Sequence, residues 1–166
     1  IGSTINAGAG DTDVLNVTAG GVVSMGAGVT NFETVNLASG LTSFTANTTS
    51  GLTINGSTGV DTITTGAAVQ TVNAGADHDI ITLGAAGQTI NGEGGNDLVF
   101  VNATTIASTI TAGEGGGETT GDELYGTGGG VVTMGVGVTE FEWVTLGVST
   151  TFTANDTGSL TITGST

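Results

Sequence analysis

Thr71-Val-Asn-Ala-Gly-Ala-Asp-His-Asp-Ile-Ile-Thr-Leu-Gly-Ala-Ala-Gly-Gln-Thr-Ile-Asn-Gly-Glu-Gly-Gly-Asn-Asp-Leu-Val-Phe100 decides the fold. It sets Val72, Ile81, Ile90 and Val99 nine residues apart, and Ile54 and Ile63 extend the series backwards. Within each run apolar and polar residues alternate, as in Thr71-Val72-Asn73 and Thr89-Ile90-Asn91, which is a strand signal. Strands this short, broken by Gly-rich turns every nine residues, cannot form independent hairpin domains. They predict a coil in which two strands and two turns make one rung of 18 residues.

Stacked rungs would bury Ile54, Val72 and Ile90 on one sheet and Ile63, Ile81 and Val99 on the sheet facing it. At roughly 4.8 Å per rung the chain would form a rod on the order of 40 Å long. The expected fold class is therefore all-β, a parallel β-roll or β-helix solenoid. Residues 52–102 carry this reading most strongly; outside them Val35 and Phe44 keep the nine-residue step, but glycine insertions disturb it. A β-sandwich of the adhesin type would need variable strand spacing and more large core residues than 4% aromatics supply. Helix is disfavoured because Gly, Thr and Val dominate and no 3.6-residue stripe appears.

A longer repeat overlies the short one. Gly21-Val-Val-Ser-Met-Gly-Ala-Gly-Val-Thr-Asn-Phe-Glu-Thr-Val35 returns as Gly130-Val-Val-Thr-Met-Gly-Val-Gly-Val-Thr-Glu-Phe-Glu-Trp-Val144, and Phe44-Thr-Ala-Asn47 returns as Phe152-Thr-Ala-Asn155. Ile1-Gly-Ser-Thr-Ile5 matches Ile106-Ala-Ser-Thr-Ile110. Residues 1–105 are read as one long repeat and 106–166 as a truncated second copy continuous with it, a piece of a longer array.

The chain has 166 residues, 32 of them Gly, and no Pro, Cys, Lys or Arg; fifteen carboxylates leave a formal charge of -15. A mean hydropathy of +0.30 argues against a charge-driven disordered tail. Without cations no salt bridge can form except through one histidine, so clustered carboxylates need hydrogen-bond donors, solvent or bound metal. The same deficit excludes phosphate neutralisation and hence nucleic acid, and disfavours anionic lipids and polysaccharides. Absent cysteines exclude disulfides and thiolate sites. No run of about 18 apolar residues suggests membrane insertion, and no signal peptide is visible at Ile1-Gly2-Ser3-Thr4.

Asp61, Asp79 and Asp97 each sit two residues before inward Ile63, Ile81 or Val99, so successive rungs bring their carboxylates into a row. Like charges about 5 Å apart repel by several kcal/mol at intermediate dielectric, and a metal between them turns repulsion into coordination. Calcium suits an all-oxygen site that includes turn carbonyls, magnesium wants a tighter octahedron, and zinc wants His or Cys. Solvated turn aspartates are the plain alternative; the regular spacing and the lack of any cation weigh against it.

At these residues the chain resembles the repeats-in-toxin (RTX) family, whose nonapeptide is Gly-Gly-x-Gly-x-Asp-x-apolar-x. Gly92-Glu-Gly-Gly-Asn-Asp-Leu-Val-Phe100 departs from it only at Glu93; Ala74-Gly-Ala-Asp-His-Asp-Ile-Ile-Thr82 and Gly56-Ser-Thr-Gly-Val-Asp-Thr-Ile-Thr64 are looser copies. Weaker ones run from Gly8 to Leu15 and through Gly121-Asp122-Glu123-Leu124. The resemblance implies Ca2+ as the cofactor, with Asp61, Asp79 and Asp97 as ligands, Asp13 and Asp122 as further ones, and Asp77, Asn96 and Glu93 assisting. On the opposite edge Gln70 and Gln88 take the equivalent position, so a single calcium row is expected where the full family pattern has two. The long repeat is also similar to bacterial S-layer and giant surface proteins, through Gly28-Val-Thr-Asn-Phe-Glu-Thr-Val35 and Gly137-Val-Thr-Glu-Phe-Glu-Trp-Val144.

If Val144 and Leu146 point inward, strict alternation puts Phe141 and Trp143 outward as interface candidates; a kink that buries Phe141 is the alternative. His78, between Asp77 and Asp79, reads as a solvated turn residue. No Ser-His-Asp or Cys-His arrangement is present, and acids that recur as a ladder fit repeated metal binding better than a glycosidase pair. The leading expectation is a non-enzymatic structural protein, secreted or at a bacterial cell surface: an S-layer, self-assembling fibre or adhesin stalk. Its partners would be copies of itself or adjacent repeats, with cell-surface glycans as further targets. A second reading is an adhesin for ice or neutral glycan through the outward ladder Thr53, Thr71, Thr89 and Thr109. A third is the accessory repeat module of a secreted enzyme whose catalytic part lies outside this chain.

Overall fold

The computed structural model describes residues 4–10, 12–18, 20–39, 42–113, 121–147, 150–155 and 160–164; Ile1, which opens one of the long-repeat matches, lies outside them. Every strand pairing among these residues is parallel. The chain is a parallel β-solenoid, and no helix interrupts the described residues. Two sheets run along it. One has seven strands, stacked 14–17, 34–37, 53–57, 71–76, 89–94, 109–111 and 138–139; the other has eight, stacked 21–24, 42–45, 61–64, 80–82, 98–101, 123–126, 143–146 and 161–163.

The registers match the nine-residue period. Ile54 pairs with Val72 and Val72 with Ile90 in the seven-stranded sheet, while Ile63 pairs with Ile81 and Ile81 with Val99 in the other. All six side chains are fully buried, and Val35, Phe44, Ile110, Leu124 and Val144 continue the two columns. β-Branched residues suit these half-buried pleated strands. Outward positions on the seven-stranded sheet carry a Thr column, Thr34, Thr53, Thr71, Thr89 and Thr109. Beside it runs an Asn column in which Asn36 donates Nδ2–H to Asn16 Oδ1, Asn55 to Asn36, Asn73 to Asn55 and Asn91 to Asn73, at 2.7–3.0 Å.

The 18-residue rung holds only through the middle. The step from Asp61 to Asp79 is 18 residues, but from Asp97 to Asp122 it is 25 and from Asp122 to Glu142 it is 20. The rungs from Asp13 to Glu33 and from Asp122 to Glu142 are longer because each carries a third strand. Strands 5–6 and 29–30 form a small sheet of their own at one flank, and strands 130–133 and 150–153 another at the opposite flank. As one extra face closes and another opens, the long repeat shifts by one face. Strands 14–17, 34–37 and 53–57 stack in the seven-stranded sheet, whereas their sequence counterparts 123–126, 143–146 and 161–163 stack in the eight-stranded one.

Phe141 corrects the strict alternation. It is 5% exposed and belongs to the core, whereas Trp143 is 43% exposed. The cause is local: Glu140 adopts a left-handed φ of 65°, and Asn31 does the same in the first copy at 60°, turning Phe32 inward as well. Each kink ends the alternation one residue before the aromatic ring.

Candidate metal centre

Along one edge of the eight-stranded sheet the residue two places before each of Ile63, Ile81, Val99, Leu124 and Val144 is an acid. The rungs place Asp61, Asp79, Asp97 and Asp122 in one column, all at 2% exposure or less. Each links to the next through the backbone. Asp61 N–H donates to Asp79 Oδ1 at 2.7 Å, Asp79 N–H to Asp97 Oδ1 at 2.8 Å, and Asp97 N–H to Asp122 Oδ1. Asp122 N–H then donates to Glu142 Oε2 at 2.7 Å, so Glu142 is the next member.

One oxygen of each carboxylate therefore serves the strand edge, except at Asp61, where Oδ2 accepts from the Ser57 N–H at 2.8 Å and hydroxyl at 2.9 Å. Asp61 Oδ1 and Asp79 Oδ2 are buried and meet no hydrogen-bond donor. Burial pushes the Asp79 carboxyl up to about 8; the Asp61 N–H pulls it down, and the charges of Asp97, Asp61 and Asp77 push it further up. Burial also raises Asp61, against the opposing pull of its two Ser57 bonds. A buried carboxylate oxygen without a donor is costly, and Asp61 and Asp79 each present one in a chain with no Lys or Arg.

Glycine lets the column pack so closely. A methyl group built on Gly92 would overlap the Ala112 carbonyl oxygen and crowd Asp97 Oδ2, and one on Gly56 would overlap the Ala74 carbonyl. The turns thus bring backbone carbonyls and carboxylates side by side.

The opposite edge is built differently at the same position. Gln70 N–H donates to Gln88 Oε1 at 2.9 Å, the equivalent of the Asp-to-Asp link, and Gln88 N–H donates to the Ser108 hydroxyl. The second terminal atom of each Gln is a donor. Gln70 Nε2 bonds the Asn47 and Thr49 carbonyls, both at 2.9 Å, and Gln88 Nε2 bonds the Ala68 carbonyl at 2.7 Å and Gly66 at 3.4 Å.

The remaining sequence candidates fall elsewhere. Asp13 lies on the seven-stranded sheet, away from the column, with its N–H on Glu33 Oε2 at 2.7 Å. Asp13 with Glu33 repeats Asp122 with Glu142, one face apart. Asp77 points outward, left-handed at φ 79° and 3.1 Å from His78 Nδ1, and Asn96 uses its amide on the Gly121 carbonyl. Glu93 is exposed, with a left-handed φ of 76°, in strand 89–94. An open depression of about 450 Å³ is lined by Gly8, Gly10, Asn31 and Glu33. Sequence reasoning passed over Glu33 and Glu142, because the nonapeptide calls for Asp. They sit two residues before Val35 and Val144, the same offset that marks Asp61 before Ile63.

Among the described residues no three acidic or imidazole groups converge on one point. The column offers carboxylates in series, so an ion between rungs would draw on two neighbouring acids together with turn carbonyls. The donor set is all oxygen and two buried oxygens lack donors, which fits a hard divalent cation and not zinc. Comparison with protein-family models, with curated proteins and with solved structures returns no match.

Proposed function

We propose that this chain is a calcium-stabilised structural segment of a secreted bacterial surface protein, of the RTX-like kind, serving as part of an S-layer, fibre or adhesin stalk. The observation that carries the reading is the column Asp61, Asp79, Asp97 and Asp122, buried in a solenoid that has no lysine or arginine to neutralise it. Bound calcium would supply the missing positive charge. Asp61, Asp79, Asp97, Asp122 and Glu142 would hold it with turn carbonyls, while their own backbone links keep the rungs in register.

Calcium at extracellular concentrations suits modules with dissociation constants of about 10⁻⁴–10⁻³ M. A cation that binds only the folded state stabilises it by mass action, so the chain would close outside the cell and stay open where calcium is scarce. The four aspartates are buried, which supports a structural over a catalytic role. Stacked rungs favour association with neighbouring repeats or copies, and half-exposed Trp143 would join such a contact.

The test is a calcium titration of the whole chain by calorimetry, with far-UV circular dichroism and light scattering in parallel and reversal by EGTA. Uptake of calcium with gain of β structure supports the reading; growth in particle size alongside it favours a layer or fibre. Full β structure in EGTA with no calcium uptake overturns it.

A second reading, an adhesin for ice or a neutral glycan, draws on the outward Thr and Asn columns of the seven-stranded sheet. Replacing Thr71 and Thr89 by bulky residues would abolish inhibition of ice recrystallisation if that face binds ice.

A further inference from the structure

We infer that the two edges of the solenoid are closed by different chemistry, the Asp edge by cations and the Gln edge by its own side-chain amides, so that loss of calcium opens one edge only. This rests on the calcium reading above. It explains why two edges of equal backbone geometry carry opposite side chains.

Gln88 Oε1 and Asp79 Oδ1 do the same work, each accepting the N–H of the residue 18 positions earlier, at 2.9 and 2.7 Å. They differ in the second atom. Gln88 Nε2 is a donor and meets the carbonyls of Ala68 and Gly66 in the preceding turn, and Gln70 Nε2 meets those of Asn47 and Thr49. Asp79 Oδ2 is an acceptor and meets no donor. In the Gln edge the amide nitrogen is thus the positive end that draws turn carbonyls together. In the Asp edge that positive end has to be supplied from outside the chain.

The Gln edge is further closed by side chains that need no ion. Gln70 Oε1 accepts the Gly66 N–H at 2.8 Å, the Thr65 hydroxyl accepts the Gly84 N–H at 2.9 Å, and the Ser108 hydroxyl accepts the Gln88 N–H at 3.1 Å. Between Asn47 and Ser108 every Gln polar atom has a partner. With calcium removed, this edge and the two Ile/Val columns beside it remain a hinge from which the Asp edge recloses.

The experiment is amide hydrogen exchange on the whole chain, with calcium and in EGTA, resolved to the turns at 57–61, 75–79 and 93–97 on the Asp edge and 65–70 and 83–88 on the Gln edge. Exchange at the Asp-edge turns is expected to rise by on the order of tenfold or more in EGTA, while the Gln-edge turns change by less than about threefold. The variant Gln88→Glu keeps the acceptor for Gln70 N–H but replaces the donor by an acceptor; it is expected to make protection of residues 65–70 depend on calcium. If calcium binds and both edges open together in EGTA, the one-sided hinge is overturned while the calcium reading stands. If calcium neither binds nor changes exchange at either edge, both are overturned. A Gln88→Glu chain that folds with the Gln edge still indifferent to calcium also overturns the hinge.

Discussion

The two oxygens of Asp79 meet different surroundings: Oδ1 accepts the Asp61 N–H at 2.7 Å, and Oδ2 is buried and meets no donor. The first contact holds register between rungs. The second leaves an acceptor in a place that favours either a proton or a cation, and that choice governs how the solenoid responds to solution conditions.

Without calcium, the proton is the competitor. Burial pushes Asp79 up to about 8, and Asp61 shifts in the same direction. An unfolded Asp titrates near 3.9, so the fold binds a proton that the unfolded chain has released. That contribution is complete below about pH 4 and is lost as pH rises through about 8. In calcium-stripped buffer the urea midpoint, followed by circular dichroism, is expected to fall steadily from about pH 5 to about pH 9. Saturating calcium is expected to flatten that slope, since the cation takes over from the proton. A midpoint level across this range without calcium would mean that the column is solvated in the fold.

Asp79→Asn copies the solution used by the Gln edge. The amide oxygen can still accept the Asp61 N–H, and Nδ2 can donate to turn carbonyls as Gln88 Nε2 does. Removing an uncompensated buried charge is expected to stabilise the calcium-free chain near pH 8 by on the order of 1–3 kcal/mol. The same change is expected to shrink the gain in melting temperature on adding calcium. Destabilisation in calcium-free buffer at this pH would contradict the assignment of Asp79 as the electrostatic weak point.

The sequence makes the middle of the molecule legible and its flanks much less so. Ile54, Ile63, Val72, Ile81, Ile90 and Val99 could be placed because each turn between them is short and fixed in length, so spacing alone determines register. Asp61, Asp79 and Asp97 follow from the same count. Asp122 joins them only after a 25-residue step, whose seven extra residues hide the register. Glu142 and Glu33 were obscured by a motif that specifies Asp. The kink at Glu140 depends on a non-glycine left-handed residue, which sequence does not announce, and it sends Phe141 into the core. The shift of the second long repeat onto the neighbouring face leaves no local signature, because it follows from the number of strands per turn.

Gly92 tests how tightly the column is built. Its backbone conformation lies outside the left-handed set, but an added methyl would overlap the Ala112 carbonyl and crowd Asp97 Oδ2. Gly92→Ala is expected to cost about 1–3 kcal/mol through forced rung displacement and to weaken calcium binding with it. Gly135→Ala, where a methyl meets nothing within 4 Å, serves as the control and is expected to be near neutral. Equal urea midpoints for the two variants would show that the rungs yield without penalty.

The Asn column is expected to stabilise the solenoid independently of any cation. Asn73 stands in its interior, donating to Asn55 Oδ1 at 2.9 Å and accepting from Asn91 Nδ2 at 2.7 Å, so Asn73→Ala breaks two side-chain bonds. A net 0.5–1.5 kcal/mol per bond, reduced by partial exposure, puts the loss at about 1–2 kcal/mol. Asn73→Asp retains the acceptor but removes the donor and adds a charge that no cationic side chain in this protein can balance. It is expected to be the more damaging change at neutral pH and to recover toward the alanine value in acid. Both losses are expected to be the same with and without calcium, because Asn73 lies outward on the seven-stranded sheet, away from the carboxylate column. Thermal unfolding of the two variants in both buffers decides it: a loss that calcium repairs would tie this ladder to the metal edge and contradict its independence.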